Sequence, residues 1–198
     1  MNIYDNFFKK NRSYSAGFSK EAKIKATIAT ISFLTIGIVN FLFTSLGPEK
    51  IGNALPIFIC YVILIWNTFY SIRCYSTIIP DGRKEQYFLD TILVILYFVL
   101  AMSFSNIILF IFISCLFFSI SVMKYVLLLN ITNHNRLFKR KSYMNGLGTI
   151  ICLLAFGAIL MDYQSITLWL LVAIYFTASI YFYFPVIIFY SLKRTYIN

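Results

Sequence analysis

Hydrophobic residues run along this chain in long blocks, without the strict alternation of strands or the single apolar stripe of a soluble helix. Six blocks stand out, at 24–46, 54–79, 86–104, 107–132, 145–161 and 165–192. Crossing the hydrocarbon of a bilayer as a helix takes roughly 20 largely apolar residues, and the blocks are close to that length. Closed β-barrels are the other way to satisfy backbone polar groups in lipid, but they alternate apolar and polar positions. The run from Ile107 to Phe118 is apolar all round. The pattern therefore predicts an all-α, polytopic membrane protein with six transmembrane helices.

Short polar breaks separate the blocks. Gly47-Pro48-Glu49-Lys50 ends the first and Pro80-Asp81-Gly82 the second, with residues that favour turns. Ser105-Asn106 is a tight link, Asn133 to Lys141 the longest loop, and Asp162-Tyr163-Gln164 closes the last pair. Links this short make neighbours antiparallel, so three helical hairpins in one bundle are expected.

Charge then orients the bundle. Positive residues near spans stay cytoplasmic, and every one of the 17 Lys and Arg except Lys50 falls on one side of the predicted alternation. The expected topology is N-in, C-in. It divides the chain into a basic cytoplasmic segment 1–23, a six-helix bundle 24–192 and a short tail 193–198. In the leader, Ile3, Tyr4, Phe7 and Phe8 share a helical face opposite Asp5, Asn6, Lys9 and Lys10. Both a short interfacial helix and a disordered basic arm fit that segment. The expected location is a bacterial inner or plasma membrane.

Composition narrows the classes. Charged residues make up 12%, about half the share of a soluble domain, so no separate soluble core is expected. The net charge of +10 reads as topology and affinity for anionic lipid head groups, with no nucleic-acid partner implied. Cys60, Cys74, Cys115 and Cys152 form no C-x-x-C pair, so neither a metal site nor a disulfide framework is expected. The sequence has no H-E-x-x-H, G-x-S-x-G or phosphate-cradling G-x-x-x-x-G-K-[ST] motif, and no cofactor is implied. His134, the sole histidine, sits in the basic loop with no neighbouring carboxylate.

Ionisable groups within the membrane are costly and mark candidate sites. Arg73, Asp90 and Lys124 are three such groups. A fold near residue 82 sets Arg73 beside Asp90, and a fold at Ser105-Asn106 sets Asp90 within a turn of Lys124. The cluster reads either as a structural clamp, with one base snorkelling, or as a polar pocket for an anionic head group or a conduction path. Asn40 and Asn67 lie near mid-membrane and suit hydrogen bonds between helices. Pro185, inside the sixth block, is a candidate hinge. Arg136, Lys139, Arg140 and Lys141 make a basic cytoplasmic loop.

Three functions fit these features. The first is a small pore, channel or transport-type protein, expected to be a homo-oligomer. The second is an interaction or regulatory component, such as a defence-system or immunity protein, whose basic face meets a cytoplasmic protein or anionic lipid. The third is a lipid-modifying enzyme using Asp90 or His134.

Overall fold

The computed structural model describes residues 20–45, 48–75, 84–129 and 135–195. They form six helices: α1 (Lys20–Thr44), α2 (Pro48–Tyr75), α3 (Lys84–Met102), α4 (Ile107–Leu129), α5 (Asn135–Leu160) and α6 (Gln164–Thr195). Each contains a stretch long and apolar enough to cross a membrane. No more than 33% of any such window is buried within the protein. What remains outside is apolar: Phe43, Leu154, Met161 and Ile166 are each about 70% exposed or more. A surface so greasy is stable against lipid tails and not against water. The chain is a multi-pass membrane protein.

Local chemistry sets the helix ends. Pro48 opens α2, where its missing N–H costs nothing and its fixed φ suits the first turn. Asn106 caps α4, its side-chain oxygen accepting the Leu109 N–H at 3.0 Å. Helix α5 ends in a left-handed residue, Asp162 at φ 66°. There the Tyr163 N–H bonds the Ala158 carbonyl at 3.1 Å and the Asp162 N–H bonds that of Ile159 at 3.0 Å, so two otherwise orphaned carbonyls are satisfied. The main departure from expectation is at the start of α5. Residues 136–141, read as a basic loop, are helical, and the helix begins ten residues before the apolar block. Hydropathy detects the lipid-buried part of a helix and is blind to its polar extension. The leader 1–19, the Pro80-Asp81-Gly82 turn and His134 lie outside the described residues. So do the side chains of Cys74, Arg136 and Pro185, although α6 continues as a helix past Pro185.

The helices contact one another in cyclic order: α1 on α2, α2 on α6, α6 on α5, α5 on α4, α4 on α3, and α3 back on α1. Helix α2 also touches α4 across the ring. A polar link bridges every interface of the cycle. The Tyr61 hydroxyl donates to the Phe33 carbonyl at 3.0 Å, joining α2 to α1. The Asn67 amide donates to Ser179 Oγ at 2.8 Å, joining α2 to α6. Cys152 Sγ and the Tyr175 hydroxyl lie 2.9 Å apart between α5 and α6. The Ser119 and Thr149 hydroxyls meet at 3.5 Å between α4 and α5. Lys124 pairs with Asp90 between α4 and α3, and the Asn40 amide donates to the Ala101 carbonyl between α1 and α3. In lipid such bonds contribute about 0.6 kcal/mol on average and up to about 1.7. Packing supplies the bulk of the cohesion, while the links fix rotation and register.

Candidate functional site: a six-walled cavity

A cavity of about 910 Å³ lies inside the ring, and all six helices line it. Its wall is drawn mainly from the N-terminal halves of α1, α3 and α5, the C-terminal halves of α2 and α4, and the middle of α6 (Ala173 to Tyr181). The cavity therefore occupies one end of the bundle, the end where α1 begins and α6 finishes. The volume falls in the range of about 300–1,000 Å³ typical of small-molecule sites.

The opposite end is solid. Ile57, Tyr61, Leu100, Phe104, Phe110 and Ile111 are all at most 2% exposed, and Phe104 stacks edge-on against Tyr61 with ring centroids 5.2 Å apart. Between this plug and the cavity lies an aromatic floor. Tyr97 stacks on Phe33 at 4.7 Å and meets Phe117 edge-on at 4.8 Å, while Phe118 meets Tyr175 at 5.5 Å. The Tyr97 hydroxyl is held by Thr68 and donates to the Leu64 carbonyl at 2.9 Å, which locks the ring. The floor is thus an apolar aromatic layer in which hydrogen bonds hold the Tyr97 ring.

Charged groups sit on the side of the cavity away from this floor. Asp90 is six residues into α3, Lys124 five residues from the end of α4 and Lys141 six residues into α5. At 1.5 Å per residue each lies about 8–9 Å from its helix end. Lys124 and Asp90 are ion-paired, but unequally covered: 14% of the lysine side chain is open against 45% of the carboxylate. The ammonium is packed into the wall and the carboxylate faces the open space. Lys141 is a buried cation at 8%. One turn deeper on α5, Asn145 is 6% exposed and its side-chain N–H₂ finds no acceptor.

The sequence-predicted residues are thus divided. Asp90 and Lys124 come together as the hairpin arithmetic expects. Arg73 holds its guanidinium 5.5 Å from the Phe69 ring centroid on its own helix and is not part of the cavity wall. Asn40 and Asn67 both bond neighbouring helices of the same chain, and Asn67 also lines the cavity. Lys139 and Arg140 are exposed on α5, with Arg140 stacked 5.3 Å from the Tyr181 ring centroid and bonded to the Tyr181 carbonyl at 3.3 Å. Two wall residues escaped sequence reading in this role, Lys141 and Asn145. Their signal is the spacing Lys141, Asn145, Gly148, which repeats at i, i+4 and i+7 and marks one helical face.

Among the described residues, Asp90 is the sole acidic or histidine side chain on the wall, and no three His, Cys, Asp or Glu gather to hold a metal ion. Comparison with protein families, with curated proteins and with solved structures finds no match to this chain.

Proposed function

We propose that the protein is a transport-type membrane protein that receives its substrate in the central cavity from the cytoplasmic side. The observation that carries this reading is a cavity walled by all six helices and closed at one end by stacked aromatic rings. A site of that form, open toward one face and sealed toward the other, suits a carrier held in one of two alternating states. Consecutive helices pair as three antiparallel hairpins, and the positive residues orient the cavity mouth toward the cytoplasm with both termini inside. The conduit lies within a single chain, so the reading needs no oligomer axis. The rigid floor argues against a standing pore.

A basic-surface role for Lys139 and Arg140 is compatible with this and places anionic lipid head groups at the mouth. The enzymatic reading is weaker, because among the described residues Asp90 faces Lys124 with no second carboxylate or histidine on the wall to share acid–base work.

A carrier must visit the opposite state. With Cys60, Cys74, Cys115 and Cys152 replaced by alanine, Ile111→Cys places a thiol in the sealed layer. In right-side-out vesicles a membrane-impermeant thiol reagent should label this position slowly from outside, because the outward-open state exposes it. Absence of labelling under every condition tried would sink the transport reading and leave a one-sided binding protein.

A further inference from the structure

The charged side chains of the cavity wall differ in how far they are open. Lys141 is 8% exposed and is already engaged within the protein. Lys124 is ion-paired and 14% exposed, whereas 45% of the Asp90 side chain is open. Among the described residues the partner of that carboxylate is Lys124, which bonds its Oδ1. An ionised carboxylate carries about four lone-pair sites on its two oxygens, so the Oδ2 side is left to face a further positive charge. Away from Asp90 the wall turns apolar. Leu93, Val94 and Tyr97 follow it on α3 at i+3, i+4 and i+7 and line the same cavity, which makes them one helical face. That face runs about 10 Å from Asp90 to the aromatic floor, at 1.5 Å per residue. Leu64, Leu147 and Ile174 bring apolar surface from α2, α5 and α6.

These features sort the ligand classes. An anion meets a carboxylate as the most open charge of the wall. A neutral apolar molecule fills the volume and leaves that carboxylate without a new partner. A divalent metal ion takes about six or more oxygen ligands, and among the described residues Asp90 is the one acidic group on the wall. We propose that the cavity binds a monovalent lipophilic organic cation, with its positive centre at the Asp90 carboxylate and its apolar body along Leu93, Val94 and the aromatic floor. The proposal deepens the transport reading by naming its substrate class, and rests on that reading only for the direction of movement. Lys124 is then an internal competitor: the ligand shares the carboxylate with it and loosens the ion pair. The lysine keeps a second favourable contact, since its Nζ lies 6.0 Å from the centroid of the Tyr125 ring.

The test is equilibrium dialysis of radiolabelled tetraphenylphosphonium against the purified full chain in phosphatidylcholine nanodiscs, with uptake by empty nanodiscs subtracted. Saturable binding of one cation per chain is expected. Tetraphenylborate, of the same shape and opposite charge, is dialysed in parallel and should bind at least about tenfold more weakly. Dodecyltrimethylammonium should compete, whereas tetramethylammonium, which lacks an apolar body, and calcium should not. Lys124→Met removes the internal competitor and should tighten binding about tenfold. Lys124→Met combined with Asp90→Asn strands no charge, and should bind at least about tenfold more weakly than Lys124→Met alone. Lys139→Gln, on the exposed face of α5, should bind as the parent does. Equal binding of tetraphenylborate, unchanged or weaker binding in Lys124→Met, or undiminished binding in the correctly folded double variant would each overturn the assignment. Binding without outside labelling at position 111 removes transport and keeps the ligand; labelling without binding does the reverse.

Discussion

Asp90→Asn should destabilise the protein by about 2–3 kcal/mol, whereas Lys124→Met should cost about 1 kcal/mol or less, although both break the same ion pair. The asymmetry follows from what each change leaves behind. Removing the carboxylate strands the ammonium of a lysine whose side chain is only 14% exposed. Removing the ammonium leaves a carboxylate whose side chain is 45% exposed, and water reaching it would replace the lost partner at little cost. A fully buried pair would lose about 3–5 kcal/mol on either truncation, and the openness of Asp90 lowers the figure. The double variant should recover most of the loss from Asp90→Asn, because neither charge remains. Thermal unfolding of the three variants in one detergent measures the ordering. Equal losses from the two single changes would mean that the pair is screened alike on both sides and that the cavity does not hydrate Asp90.

Gly37→Leu should be the most damaging single substitution in α1, at about 3 kcal/mol, the upper end of typical core overpacking. Even a Cβ at this position comes within 2.4 Å of Tyr61 Cε1 and 2.9 Å of Cδ1. Tyr61 has nowhere to go: it is fully buried, its hydroxyl is tied to the Phe33 carbonyl, and Tyr97 and Phe104 flank its ring. The helices α1 and α2 must separate, and the plug at the closed end loosens with them. Gly148→Leu is the informative contrast. Its Cβ would come within 2.8 Å of the Phe118 ring, but Phe118 borders the cavity and has empty space to turn into. That variant should keep more of its thermal stability than Gly37→Leu, since the displaced ring can turn into the cavity. Melting temperature separates the two glycines. A milder loss of stability at Gly37 than at Gly148 would contradict the packing described for Tyr61.

The spans were legible because lipid demands long apolar runs, and those runs are contiguous in sequence. The Asp90–Lys124 pair was legible for a related reason. A tight turn at Ser105-Asn106 fixes the register of α3 against α4, so simple counting brings the two charges within reach of a long lysine side chain. Arg73 escaped the same arithmetic: its guanidinium settles over Phe69 on its own helix, a cation–π contact that counting across a link does not detect. The ring order was not legible. Contacts such as α2 with α6 and α1 with α3 join helices far apart in sequence, and blocks apolar on all sides carry no stripe to reveal which face meets which neighbour. Lys141 was hidden in another way. It belongs to a basic stretch that reads as solvated, yet the helix begins at Asn135 and turns this one lysine inward while Lys139 and Arg140 stay outside. Without the ring order and that inward turn, a cavity assembled from all six helices has no local signature.

The most direct measurement is two-sided labelling of cavity thiols. Leu93→Cys and Ala178→Cys, on α3 and α6, are half-buried wall positions, each to be placed in the cysteine-free background. A membrane-impermeant thiol reagent is then applied to inverted and to right-side-out vesicles. The account predicts rapid labelling of both positions in inverted vesicles, where the cytoplasmic face is outside, and slow labelling in right-side-out ones. Labelling from the opposite face alone, or equally fast from both, would contradict a cavity that opens to the cytoplasm and is sealed by the aromatic layer around Tyr61 and Phe104.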